Sequence, residues 1–159
     1  MMSDNFLHEC LSLAKNCKSN IGFGAILVKN GIIIGKGRNR RSTIEDRLLL
    51  SHVDYAIHAE QAAIVDALQK GNDVYGADVF VAGIILKGKN KGKISFRTIP
   101  EFGCRKCPHS FKRFNIYVNI PKINGNWFRL SPEEAMETGE KFHGKGIWNA
   151  FVKGFPLDG

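Results

Sequence analysis

The chain has 159 residues, 43% of them apolar, enough to bury a hydrophobic core in one globular domain spanning 1–159 without disulfide support. Its 23 Lys and Arg against 15 Asp and Glu leave a net charge of +8 at pH 7, which favours phosphorylated or polyanionic partners or is simply that of a basic soluble protein. No apolar run approaches the ~20 residues of a membrane-spanning helix and Met1 to Cys17, polar every second or third residue, does not read as a signal peptide, so the cytoplasm is expected.

In chain order, Asn5 to Lys18 places Phe6, Leu7, Cys10, Leu11, Leu13 and Ala14 at helical spacing, with Ser3 or Asp4 as the cap. Phe23 to Val28 and Ile32 to Gly37 are apolar runs joined by Lys29-Asn30-Gly31, the signature of a tight β-hairpin. Arg38 to Leu50 has little periodicity and reads as a loop. A helix opening at His52 or Asp54 runs to about Lys70 and stops at Gly71. Asp78 to Leu86 is a continuous apolar run, which predicts a central strand covered on both faces. The Lys87 to Lys93 segment, basic and glycine-rich, reads as a mobile surface loop.

A short helix is expected from near Cys104 to about Phe114, then strands Asn115 to Ile120 and Trp127 to Leu130 around an Asn124-Gly125 turn. Ser131-Pro132-Glu133-Glu134 is a capping box that starts the last helix. This order predicts an α/β fold in three α/β/α layers, a mixed five-stranded sheet with helices on both faces.

Two short motifs carry the chemistry. His58-Ala59-Glu60 and Cys104-Arg105-Lys106-Cys107 each sit where a helix is expected to begin. Either alone is a weak signal, since a lone Cys-x-x-Cys also fits a redox pair or half a structural zinc site. Together, one imidazole (His58) and two thiolates (Cys104, Cys107) fill three positions of a tetrahedral Zn2+ site and leave the fourth for water. Amide dipoles at a helix start favour the thiolate form. His58 and Glu60, two apart, would diverge on a regular helix, so both can face one ion only in an irregular first turn. A carboxylate at Glu60 beside such a metal can take a proton from water and return it to a ring nitrogen and a leaving amine. That set of roles is the template of the zinc deaminases.

These residues, with Gly24-Ala25-Ile26-Leu27-Val28 and Gly35-Lys36-Gly37-Arg38-Asn39, make the chain resemble the cytidine deaminase superfamily, including deoxycytidylate and transfer-RNA adenosine deaminases. The resemblance implies Zn2+ as cofactor, Glu60 as the catalytic residue, and release of ammonia from the exocyclic amine of a base, cytosine first. It implies Asn39 as a substrate contact, with Phe23, Ala59 and Trp148 as further candidates, and a homodimer or homotetramer. An Asn at a hairpin exit also serves simply to satisfy its own backbone. The sequence departs from the family pattern at Gly103, where a proline usually precedes the first cysteine, at Asn39-Arg40-Arg41, and at Ile21. The last two weigh against a free nucleoside, and the adjacent arginines suit a phosphate. The carboxy-terminal hairpin, with too few residues for a crossover helix, points to an antiparallel ending as in cytidine deaminases.

Three readings stay open. The substrate is a small nucleoside or nucleotide; or it is a base within RNA or single-stranded DNA, held through Lys87, Lys89, Lys91 and Lys93; or the chain is a zinc-stabilised nucleic-acid-binding module without chemistry. Among other candidates, His52 and His109 are weaker metal ligands than His58, Cys10 and Cys17 read as buried free thiols, and most of the aromatic residues read as core.

Overall fold

Helix α1 (Met2–Ala14) and the hairpin of β1 (Ile21–Lys29) and β2 (Ile32–Arg38) set the frame. The computed structural model describes residues 2–51, 53–95, 107–122 and 126–142. Within it α1 stops four residues short of the expected end. The N–H groups of Asn16 and Cys17 turn to the third carbonyl back, Leu13 O (3.2 Å) and Ala14 O (3.1 Å), and the tightened turn closes the helix. At its other end Ser3 and Asp4 lie inside the helix rather than capping it. Asn30 and Gly31 take φ values of 52° and 77°, the two positive angles a two-residue hairpin requires, and Lys29 stands opposite Ile32.

The stretch read as a loop is ordered. Arg40–Arg41 (β3) pairs antiparallel with Ala56–Ile57 (β4), and between them α2 (Ile44–Leu49) is opened by a reciprocal cap. Thr43 Oγ1 accepts from Asp46 N (3.1 Å) and Asp46 Oδ2 accepts from Thr43 N (2.7 Å). A helix this short shows too little periodicity to be seen in sequence, and its cap uses Asp where Glu or Gln is usual. Because Ala56 and Ile57 are held as a strand, the next helix, α3 (Ala59–Gln69), starts later than the expected His52 or Asp54. It ends as expected: Gly71 has φ 78° and Asn72 N donates to Ala67 O (3.0 Å).

Strand β5 (Asp78–Ile85) is central, antiparallel to β1 and parallel to β7 (Tyr117–Pro121). The lysine-rich segment after it is a hairpin tip rather than an irregular loop. Gly88 and Gly92 have φ near 90° (92° and 91°), Gly92 N donates to Ile85 O (2.8 Å), and the chain returns as β6 (Ile94–Ser95) against β5. Helix α4 (Cys107–Phe114) crosses back to β7, which pairs antiparallel with β8 (Trp127–Leu130) as expected for the carboxy-terminal hairpin. Helix α5 (Pro132–Phe142) opens on the predicted capping box, with Glu134 N donating to Ser131 Oγ (3.1 Å) and Ser131 N to Glu134 Oε1 (2.8 Å).

The five principal strands run β2-β1-β5-β7-β8, with β6 added to β5. Side chains alternate across the sheet, so β1 feeds two cores. Ile26 and Val28 join Cys10 of α1, while Ala25 and Leu27 join the larger cluster with α3, Phe111 of α4 and Ala135 of α5. The result is the expected three layers. Among the described residues, no helix is long and apolar enough to cross a membrane.

Glycines decide how closely the layers approach. A Cβ on Gly24 would lie 2.8 Å from both Ala14 N and Leu13 Cβ of α1. On the other face, a Cβ on Gly37 would lie 2.6 Å from Ala62 Cβ and closer still to Ala63 N, and one on Gly35 would lie 2.9 Å from Ala67 Cβ. The atoms met are backbone or Cβ atoms, which no side-chain rotamer can move aside. Gly37→Ala should therefore cost about 1–3 kcal/mol of stability in urea titrations. Gly71→Ala, with no atom within 4 Å of the added Cβ but φ at 78°, is the control that carries backbone strain alone. Equal stability of Gly37→Ala and the parent would contradict the packing account.

Candidate active site

The approach of α3 to β2 decides where the first turn of α3 lies. His58 is its N-cap, extended at φ −78° and ψ 156°, with His58 O accepting from Ala62 N (2.9 Å) and His58 N donating to Gln61 Oε1 (3.4 Å). Upstream, Ile57 pairs with Arg40. His58 is thus gripped on both sides and stands outside the helical repeat that would have turned it away from Glu60. Glu60, in the first turn, is fully buried, as is Ala59, which joins the larger core. The helix start is where a negative charge is best accommodated.

A cavity of about 510 Å³ opens at this end of the sheet. His58, Ile57 and Ala56 form one wall, Phe23 and Asn39 come from the hairpin, and Lys18, Ser19 and Arg40 complete the lining. The predicted residues His58, Asn39 and Phe23 thus meet at one cavity although they come from three parts of the chain. Phe23 fits there because it stands opposite Gly83, whose missing side chain leaves room for the ring: a Cβ on Gly83 would lie 2.6 Å from Phe23 Cε1. Lys18, Ser19, Ala56 and Ile57 were not singled out from sequence as site residues, and Arg40 only as a phosphate contact. They reach the cavity through the turn after α1 and the β3–β4 ladder, neither of which has a periodic signal.

The other predicted site residues divide by position. Cys107 is the first residue of α4, and α4's last residue, Phe114, is bonded through its carbonyl to Gly76 N (3.0 Å) at the amino end of β5. The helix therefore begins away from that end, and β5 finishes beside the start of β1 that lines the cavity. Cys104 and Trp148 lie outside the described residues, as does His52. Among the described residues no group of three or more His, Cys, Asp or Glu is placed to hold a metal. His109 is exposed on α4. Phe111 and Phe128 are core, and so are the free thiols Cys10 and Cys17, although Cys17 lies beyond the end of α1 rather than on its face.

The profile described as cytidine and deoxycytidylate deaminase zinc-binding region matches residues 2–118. The chain belongs to this deaminase family. A cytidine deaminase from Burkholderia pseudomallei is 19% identical and superposes with a TM-score of 0.52 over 85% of this chain and 96% of that one. The dCMP deaminase of cyanophage S-TIM5 is similar in its apo form at 16% identity, with a TM-score of 0.48 over 91% of this chain and 94% of that one. Its complex with dCMP and dUMP gives 19% identity and a TM-score of 0.44 over 91% and 90%. No curated protein sequence matches the chain. The Burkholderia comparison establishes the shared deaminase fold. The family's zinc-binding character agrees with the donor chemistry available here, an imidazole at the cavity wall and a thiol at a helix start.

Arg40 differs from its sequence reading. It makes a bidentate pair with the buried Asp46, Nη1 to Oδ2 at 2.7 Å and Nη2 to Oδ1 at 3.1 Å, so its charge is already balanced and it is not an open phosphate contact. Burial alone would raise the Asp46 carboxyl, but the hydrogen bonds from Arg40 and from Thr43 N outweigh it and hold the group below the ordinary aspartate value. A carboxyl lowered by folding stabilises the fold above its unfolded value of about 3.9, and that stabilisation is lost as pH falls through the lower folded value. Asp46→Asn should cost about 1–3 kcal/mol at pH 7. In acid the difference from the parent should shrink as pH drops below about 3.9. Denaturant titrations at several pH values check this, and a gap independent of pH would contradict it.

Proposed function

We propose that the chain is a zinc-dependent hydrolytic deaminase, one domain across residues 1–159, that acts in the cytoplasm. It converts cytosine in a nucleoside or nucleotide to uracil with release of ammonia. The observation that carries this reading is the pairing at the start of α3: an imidazole held in an extended N-cap at a cavity wall, and a fully buried carboxylate two residues on. Burying a carboxylate is costly, and a site that needs a proton carrier shielded from bulk water is a reason to retain one.

In this reading His58, Cys104 and Cys107 hold the zinc, which when bound supplies a Lewis acid that makes water acidic enough to deprotonate near neutral pH. Glu60 takes a proton from the attacking water and passes protons to the ring nitrogen and the departing amine. The C–N bond breaks, a C=O bond replaces it, and ammonia leaves. Asn39 and Phe23 orient the substrate, the first by hydrogen bonding and the second as an apolar wall, and Ala59 and Trp148 are further candidate contacts.

Glu60→Gln should lower ammonia release from cytidine, deoxycytidine or their monophosphates by about 10²–10⁴-fold while zinc content stays unchanged. His58→Ala should lose the metal, measured by elemental analysis. Unchanged ammonia release in Glu60→Gln, with zinc retained, would remove Glu60 from the proton-carrying role, and no ammonia from the zinc-loaded parent on any of these substrates would leave the non-catalytic zinc module.

A second reading, deamination of cytosine or adenine within RNA or single-stranded DNA, draws support from the basic hairpin. Lys87, Lys89, Lys91 and Lys93 are all exposed, and Leu86 N donates to Asn20 O (2.8 Å), which fastens that hairpin to the Lys18–Ser19 turn lining the cavity. A polyanion crossing the hairpin would meet the cavity rim. Replacing the four lysines by glutamine should then slow deamination of single-stranded oligonucleotides and flatten its salt dependence, leaving rates on dCMP unaltered. Equal rates on the oligonucleotides before and after replacement would remove this reading.

A further inference from the structure

Asn39 is held in one orientation by its neighbours. Its Oδ1 accepts from Phe23 N (2.7 Å) and from the Cys17 thiol (3.0 Å), for which it is the nearest of three acceptors, with Asn39 O at 3.5 Å and Phe23 O at 3.6 Å, and its Nδ2 donates to Ser19 Oγ (3.2 Å). Ser19 Oγ in turn donates its own hydrogen to Ile21 O (2.7 Å), so towards Asn39 it is an acceptor. A reversed carboxamide would set its NH2 against the Phe23 N–H, donor against donor, and its oxygen against a hydroxyl already committed elsewhere. Burial raises the Cys17 thiol above its ordinary value, so it keeps the hydrogen that it gives to Asn39. Ser19 and Asn39 line the cavity and Cys17 does not. The oxygen of the carboxamide is thus saturated on the protein side, and Nδ2 has a second hydrogen to offer.

We propose that Cys17 and Ser19 are positioning residues that fix the Asn39 carboxamide with its NH2 edge toward the cavity, so that the site selects a substrate presenting an oxygen acceptor there, such as a sugar hydroxyl or a ring carbonyl. The proposal rests on the reading of this cavity as the substrate site. It gives Cys17, buried and distant in sequence from the metal motifs, a role through Asn39 rather than on the substrate itself. A packing role for the thiol would require only its volume. An orienting role requires its hydrogen.

The test compares Cys17→Ala, Ser19→Ala and the conservative Cys17→Ser by ammonia release from dCMP and by the side-chain amide NMR signals of Asn39 in labelled protein titrated with dCMP. Each alanine variant should raise KM about threefold to tenfold with kcat little changed, and should move the Asn39 amide signals before any ligand is added. Cys17→Ser, which restores a donor, should recover the parental KM. Parental KM and unmoved amide signals in both alanine variants, while the parent deaminates dCMP, would overturn this proposal and leave the deaminase reading standing. If Cys17→Ser behaved like Cys17→Ala, volume or sulfur rather than the hydrogen would be decisive, and the orienting role would fall. No ammonia from the parent and no response of its Asn39 signals to dCMP would overturn both.

Discussion

The contact on which the rest depends is the one between the backbone of α3 and the second strand of the hairpin. Gly35 and Gly37 let the helix settle directly onto β2, and polar links add to the hold: Lys36 N donates to Asp66 Oδ2 (2.9 Å) and Asn72 Nδ2 to Ile34 O (3.0 Å). The second partner set also covers backbone groups on an edge strand that would otherwise be open to another chain. Once the helix axis is pinned in this way, its first turn has nowhere else to go. His58 and Glu60 inherit their places from a contact several residues away. The chemistry proposed for the site is in this sense a property of the hairpin's glycines as much as of the site residues.

Much of this architecture was legible because strong local rules and burial agreed. The Asn30-Gly31 turn, the apolar run of β5, the Ser131 capping box and the stop at Gly71 are each dictated by a few adjacent residues, and tertiary packing does not oppose them. The boundaries of α1 and α3 were less legible, because each is set by a partner distant in sequence. The end of α1 is decided by its seat on Gly22 and Gly24, and the start of α3 by the pairing of Ile57 with Arg40. The site was legible where it is a motif, as at His58 and Glu60, and where a hairpin exit fixes an asparagine, as at Asn39. It was illegible at Lys18 and Ser19, whose places depend on a turn without any repeating pattern, and misleading at Arg40, which a two-residue ladder sets beside Asp46.

Charge is distributed unevenly around the cavity, and this matters more than the total of +8. Arg40, the cation that adjacent sequence suggested for an anion, is occupied by Asp46 in a bidentate pair and secures α2. The lysines of the β5–β6 hairpin, by contrast, face solvent beside the turn that lines the cavity. Net charge alone could not distinguish an arginine committed to structure from lysines facing solvent. The distinction follows from which side chains have a buried partner.

The ladder of β3 and β4 acts as a clasp. It closes the segment from Ser42 to Tyr55 into a loop whose two ends are tied together, with Ser42 N bonded to Tyr55 O (2.7 Å), immediately before the chain reaches His58. Inside the loop α2 stays joined to α3, with Gln69 Nε2 donating to Glu45 Oε2 (2.8 Å) and Leu50 buried in the core that α3 shares. Exchanges at its exposed side chains, Ile44, Leu48 and Tyr55, can reshape the surface, whereas exchanges at Asp46 or Leu50 reach the clasp and the shared core, so the fold separates positions free to diversify from positions that must stay still.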